Sequence, residues 1–223
     1  MIVQAVQRVF RTREAAPWSF EGAFHDHCRE ILRRIGWPRG EAERPLRTLG
    51  LTSCRGGEGV STLAAHLAIA AAMRQERRVV LVDANLSQPA VARRFGAVPV
   101  PGLVECVCGG ESAREALQPT SVQNLFVLPA GQMRVSPARV YDSTDLAAVA
   151  DELAGHCELV VFDLPPLGRA SCANRLPAAL DGVLLVVEAE GVHWEVAQRA
   201  KELLQYAGAR IVGCVLNKWR DAA

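Results

Sequence analysis

The chain has 223 residues, enough for one sizeable domain and too few for two comfortable ones. Half of them are hydrophobic, and 25 Lys and Arg against 24 Asp and Glu leave a formal net charge of +1, which excludes a global electrostatic case for nucleic acid or an acidic partner. No apolar run approaches bilayer length, and the opening MIVQAVQRVFRTREAAP is broken by Gln and Arg where a leader would be apolar, so a cytoplasmic protein is expected. The seven cysteines have no paired spacing and read as reduced thiols used as small hydrophobes.

In chain order, Ile2, Val3, Val6, Val9 and Phe10 beside Arg8, Arg11 and Arg13 predict a short basic amphipathic helix, packed on the domain or touching a membrane surface or partner. FEGAFHDHCREILRRIG (20–36) predicts a second amphipathic helix, with Phe24, Cys28, Ile31 and Ile35 at helical spacing, and WPRGEAERP (37–45) its linker. Strand-like runs follow at 46–53, 78–84, 124–130, 158–165, 182–189 and 210–217, alternating with helical patterns at 61–75, 88–96, 143–156 and 192–208. Most of these strands are continuously apolar, as strands covered on both faces are. The expected fold is α/β, a three-layer sandwich with a mostly parallel sheet flanked by helices.

One loop stands out. SCRGGEGVST (53–62) joins a buried strand to an Ala-rich helix, and glycines in that position let backbone N–H groups converge on phosphate oxygens at a helix N-terminus. The general pattern G-x-x-x-x-G-K-[ST] wants glycine at Cys54 and lysine at Val60, so the loop alone fits a phosphate site or a glycine-rich turn equally. The missing lysine removes a charge-assisted bond worth about 1.5–3 kcal/mol. Two strand ends tip the balance: VVLVDAN puts Asp83, and LVVFDLPP puts Asp163, at the carboxyl ends of buried strands, where doubly wound sheets collect ligands. Each acid alone also fits a turn cap.

With these segments in hand, the chain resembles the bacterial tyrosine kinases of capsule and exopolysaccharide synthesis, within the MinD/ParA group of P-loop ATPases. GGEGVSTLAAHLA is similar to that family's Walker A segment, VVLVDANLSQP to its Walker A′ and ELVVFDLPP to its Walker B; VLPAG (127–131), DGVLLVVEAE (181–190) and GCVLNK (213–218) extend the likeness over roughly 45–218. The resemblance implies a P-loop nucleotide-binding domain over 45–223, with 1–44 as an N-terminal helical segment and linker. It implies ATP or ADP with magnesium, held by Gly56, Gly57, Glu58, Gly59, Val60, Ser61, Thr62 and Asn217. Ser61, Asp83 and Asp163 would serve the metal, with Asp83 and Asp163 as the catalytic acids and Asp83 a candidate base. Asn217 would lie near the nucleotide base; a buried strand-end cap is its alternative. Arg55 falls where the MinD/ParA ATPases carry an extra lysine, and either reaches phosphates or is a solvated loop side chain.

The implied partners are the nucleotide, a membrane polysaccharide co-polymerase or export protein and a further copy of the chain, with no nucleic acid; location would be cytoplasmic or peripheral at the inner membrane face. Departures from the family pattern bear on activity. Val60 replaces the Walker A lysine, Asn85 the second acid of Walker A′, Ser87 and Gln88 two arginines, and only Tyr141 and Tyr206 stand against a terminal tyrosine cluster. Three functions remain open: a weakly active or regulatory kinase-like subunit, a pseudoenzyme scaffold that binds no ATP, and a MinD/ParA-like ATPase. An N-terminal helix bearing Asp26, Arg29, Leu32 and Arg33 either partly matches a subunit-contact helix of related kinases or presents an ordinary charged face. HDHC (25–28) lacks zinc spacing, Cys106 and Cys108 are expected to be buried in a short apolar element, and Trp194 is expected to pack.

Overall fold

A computed structural model describes residues 3–7, 23–37, 46–74, 77–167 and 175–219. Its strands are β1 (Val3–Gln7), β2 (Thr48–Ser53), β3 (Val79–Asp83), β4 (Gln118–Pro119), β5 (Leu125–Leu128), β6 (Leu159–Asp163), β7 (Gly182–Glu188) and β8 (Ile211–Trp219). They form one sheet in the order β1-β8-β7-β2-β6-β3-β5-β4, parallel throughout except for the β4–β5 pair. The helices are α1 (Ala23–Arg34), α2 (Val60–Ala72), α3 (Val91–Phe95), α4 (Leu103–Gly109), α5 (Pro137–Tyr141), α6 (Asp145–His156), α7 (Arg175–Ala179) and α8 (Trp194–Tyr206).

The continuous apolar runs have a direct cause. Along β3, Val79 and Leu81 join the core under α1 to α3, whereas Val80 and Val82 join the core under α4 to α7. Leu159 and Val161 of β6 divide from Val160 and Phe162 in the same way. Both faces are dry, so neither parity tolerates a polar residue until the strand ends. Beside β7 and β8 a third cluster, with Val183, Leu185 and Val187, packs under α8. This is the three-layer arrangement expected.

α2 is buried on nearly every side, because α1 covers the flank that the sheet leaves open: Cys28, Ile31 and Leu32 share its core, and the Phe24 ring meets His66 edge-on at 4.7 Å. Small Ala side chains let the sheet and α1 approach it together. Burial pushes the His66 imidazole down to about 4, so it packs there neutral.

Three expectations are corrected. Val3–Gln7 is a strand paired in parallel with β8, not part of a helix; an unfilled sheet edge overrides a weak local helical pattern. The remaining residues of that pattern, like most of the 37–45 linker, lie outside the described residues. Cys106 is buried as expected, but Cys108 is exposed on the outer side of α4. Trp194 opens α8 with 70% of its surface exposed instead of packing. Leu32 is fully buried in α1, and Arg33 pairs with Glu30 at the surface.

Candidate functional site

The glycine loop bridges β2 and α2. The β2 strand is buried from end to end, and its last residue turns the chain by donating from Ser53 Oγ to the Arg55 carbonyl at 2.8 Å. Glu58 then folds inward, 2% exposed: its carboxylate accepts the Arg55 N–H with one oxygen and the Glu188 N–H, at 2.9 Å, with the other. Burial raises the Glu58 pKa, and those N–H donors pull it back. From the far side Asn217 Nδ2 donates to the Glu58 carbonyl at 2.8 Å. The loop is thus stitched to the ends of β7 and β8.

Gly59 takes φ 92°, and a Cβ there would stand 2.3 Å from Asn217 Nδ2, so glycine is required both by conformation and by space. Gly56 and Gly57 form the exposed rim. Gly59, the N-cap of α2, has no side chain to cap it, which leaves the first-turn amides available to an anion. Ser61 and Thr62 stand half-buried on that turn. Val60 does not face the loop's mouth as a phosphate ligand would; at 8% exposure it belongs to the apolar cluster with Leu51, Val186 and Val215. Arg55 is exposed.

Asp83 and Asp163 meet on the α2 face. They are register partners at the ends of β3 and β6, and both share the parity of the residues that pack under α2. Both are fully buried. Asp83 Oδ2 accepts the N–H groups of Ala90 and Val91, each at 2.8 Å, while Oδ1 has no hydrogen-bond partner. Neither oxygen of Asp163 has a partner of good geometry, although the Ser61 hydroxyl lies close enough to favour its charged form. Burial first, and the Asp83 charge second, push the Asp163 carboxyl up to about 7. Burial likewise raises Asp83, against the pull of the Val91, Ala90 and Asn85 amides and the Arg94 charge.

Three buried carboxylate oxygens without a well-formed protein hydrogen bond, beside uncapped amides, are the donor set that a hard cation and its waters require. The residues present therefore fit magnesium.

Two side chains here escaped the sequence reading. Tyr141, buried on α5, donates from its hydroxyl to the Ala84 carbonyl at 2.7 Å and accepts the Leu86 N–H at 3.2 Å, clamping the turn that follows Asp83. Burial pushes its phenol up to about 12. Arg94, half-buried on α3, donates from Nη1 to Thr62 Oγ1 at 3.2 Å. No one-dimensional signal separates Arg94 from Arg93 beyond its spacing from Val91, which is a core residue. Asn217 bonds the loop through Nδ2, and its buried Oδ1 is unpartnered.

This fold and this loop define a P-loop protein of the MinD/ParA kind. Residues 46–207 match the family model described as cellulose biosynthesis protein BcsQ. The tyrosine-protein kinase YwqD of Bacillus subtilis is 31% identical over 175 residues, covering 78% of this chain and 73% of that one. The crystal structure of the chimerical protein CapA2B2 superposes with a TM-score of 0.84 at 22% identity, covering 99% of this chain and 95% of that one. The septum site-determining protein MinD from Pyrococcus horikoshii, complexed with Mg-ADP, gives 0.65 at 24% identity over 79% of this chain and 72% of that one. The chain therefore belongs to the MinD/ParA-like P-loop family that the BcsQ model and the bacterial tyrosine kinases share. Among the described residues, no helix is long and apolar enough to cross a membrane.

Proposed function

We propose that this chain binds ATP and ADP with magnesium and acts as a weakly active or regulatory subunit of exopolysaccharide or capsule synthesis. The observation that carries the reading is the registered pair Asp83 and Asp163, buried with three unpartnered oxygens beside the uncapped start of α2. Burying carboxylate oxygens without a well-formed donor, both on Asp163 and one on Asp83, is costly unless a ligand meets them.

In this reading residues 45–223 form the nucleotide-binding unit and 1–44 an N-terminal segment. The amides of Gly56 to Thr62 receive phosphate oxygens, and Ser61, Asp83 and Asp163 hold magnesium, directly or through its waters. Magnesium, when bound, offsets the charge of the phosphates and of both acids. Asp83, with Oδ2 committed to Ala90 and Val91, keeps Oδ1 to accept a proton from an attacking hydroxyl or water. In this reading Asn217 Oδ1, buried and without a partner, accepts a hydrogen bond from the amino group of a base. Val60 contributes packing and no charge, which lowers turnover, by about a hundredfold or more if it resembles loss of other preorganised donors. The partner is a membrane polysaccharide co-polymerase, in keeping with the tyrosine kinase relatives.

A pseudoenzyme scaffold is the second reading, and the burial of Val60 within the core favours it. Calorimetric titration with Mg-ATP and Mg-ADP, alongside a phosphate-release assay, separates the two. Binding with slow release that Asp83→Ala abolishes supports the first. No heat at millimolar nucleotide would leave the scaffold.

A further inference from the structure

The site as described has a charge problem. A nucleotide brings several negative charges to two buried acids, and the position that would answer them, residue 60, is a valine turned into the core. Arg55, in the loop itself, is exposed. A cation already seated over the start of α2 therefore comes from another element.

Arg94 meets that requirement by geometry. The α3 helix is anchored to the site at its start, where Ala90 and Val91 both donate to Asp83 Oδ2, and is closed by Gly96 in the left-handed region. That anchoring brings the guanidinium, one turn on, over the first turn of α2, where Nη1 reaches Thr62 Oγ1 at 3.2 Å. Thr62 is the third residue after Gly59, beside the amides that no side chain caps. Burial lowers the Arg94 pKa; among the charges around it, Asp163 and Asp83 favour its cation and Arg93 opposes it, while His66, one turn along α2, is held neutral. A guanidinium stays charged even half-buried, and its planar fork can bond two phosphate oxygens together.

We propose that Arg94 is the phosphate-binding cation of this site, delivering from α3 the positive charge that residue 60 does not supply. The assignment rests on the nucleotide reading above. It places the cation on the metal-acid side of the loop, above Thr62, instead of within the loop.

The test compares wild type, Arg94→Gln and Arg94→Lys for displacement of a fluorescent ADP analogue by ADP and by adenosine, with magnesium, and with thermal melts to verify folding. Arg94→Gln is expected to lose about 10–100-fold in ADP affinity and to leave adenosine within about twofold. Arg94→Lys, which keeps the charge and the stem, is expected to stay within about threefold to tenfold of wild type for ADP. A role in packing alone would weaken ADP and adenosine equally. Equal loss, or ADP binding by Arg94→Gln as tight as wild type, overturns the assignment and leaves the nucleotide reading standing. Failure of wild type to bind either ligand at millimolar concentration overturns both. If Arg94→Gln does not fold, Arg94→Lys decides: loss of ADP binding beyond tenfold by the folded lysine variant, with adenosine equally weakened, rejects the assignment.

Discussion

The glycine loop and the segment from β3 through α3 border the same site and are built on opposite terms. The loop is nearly all backbone: its glycines, its uncapped helix start and Glu58, whose carboxylate is spent on amides of the chain itself, offer shape and partial charge. The β3–α3 segment is all side chain, with Asp83 tying down α3 and α3 presenting Arg94. A valine at position 60 is tolerable in such a design because shape and full charge are drawn from different elements. Losing one charge within the loop need not cost the loop its form.

The sharpest way to break that division is at its common boundary, Asp163. Asp163→Asn is expected to remove the magnesium-dependent part of nucleotide affinity, about tenfold or more, by titration with and without the metal. The same variant sharpens the electrostatics. Asp163 is held up to about 7 against an ordinary value of 3.8, so across that window the folded state keeps a proton that the unfolded chain has released. Stability must then fall as pH rises from about 4 to 7 and stay low above it. Ligand-free wild type should melt at lower temperature at about pH 8 than at about pH 5, a contribution of about 1–4 kcal/mol that Asp163→Asn flattens. A pH-independent melt in both proteins would refute this.

The loop side is challenged by Gly59→Ala. A Cβ at φ 92°, 2.3 Å from Asn217 Nδ2, forces either the backbone or Asn217 to move. A loss of about 1–3 kcal/mol in chemical denaturation is expected, with nucleotide affinity falling as well. The smallest effect belongs to Tyr141→Phe, which leaves the ring and removes one hydroxyl from the Ala84 and Leu86 backbone groups. It should cost about 1–2 kcal/mol and weaken magnesium-nucleotide binding only through the slackened turn after Asp83.

The fold was largely legible because strands dry on both faces leave an unmistakable run, as in Val79 to Val82, and because Gly-rich turns and strand-end acids mark where they stop. What escaped depended on distant partners. VQAVQ becomes a strand because β8 presents an open edge, and nothing within those five residues says so. Trp194 stands exposed where an aromatic at a helix start promised burial. In the site, Asp83, Asp163 and the glycines announced themselves by position, since strand ends and helix starts are visible in one dimension. Glu58 was legible as part of the loop but not as its internal brace, and Arg94 not at all, because a helix-to-helix contact across 32 residues has no local signature.

The brace on the loop has a consequence for the order in which the protein is made. Residues 54–59 emerge from a ribosome early, but Asn217, which supports the Glu58 carbonyl and shapes the space at Gly59, follows 159 residues behind the glutamate. During synthesis the glycine loop can have its strand and helix while still lacking this support, so a nascent chain would not yet present the finished pocket. Ligand competence would arrive late and abruptly, with the docking of β8, as sequence-distant contacts commonly close last.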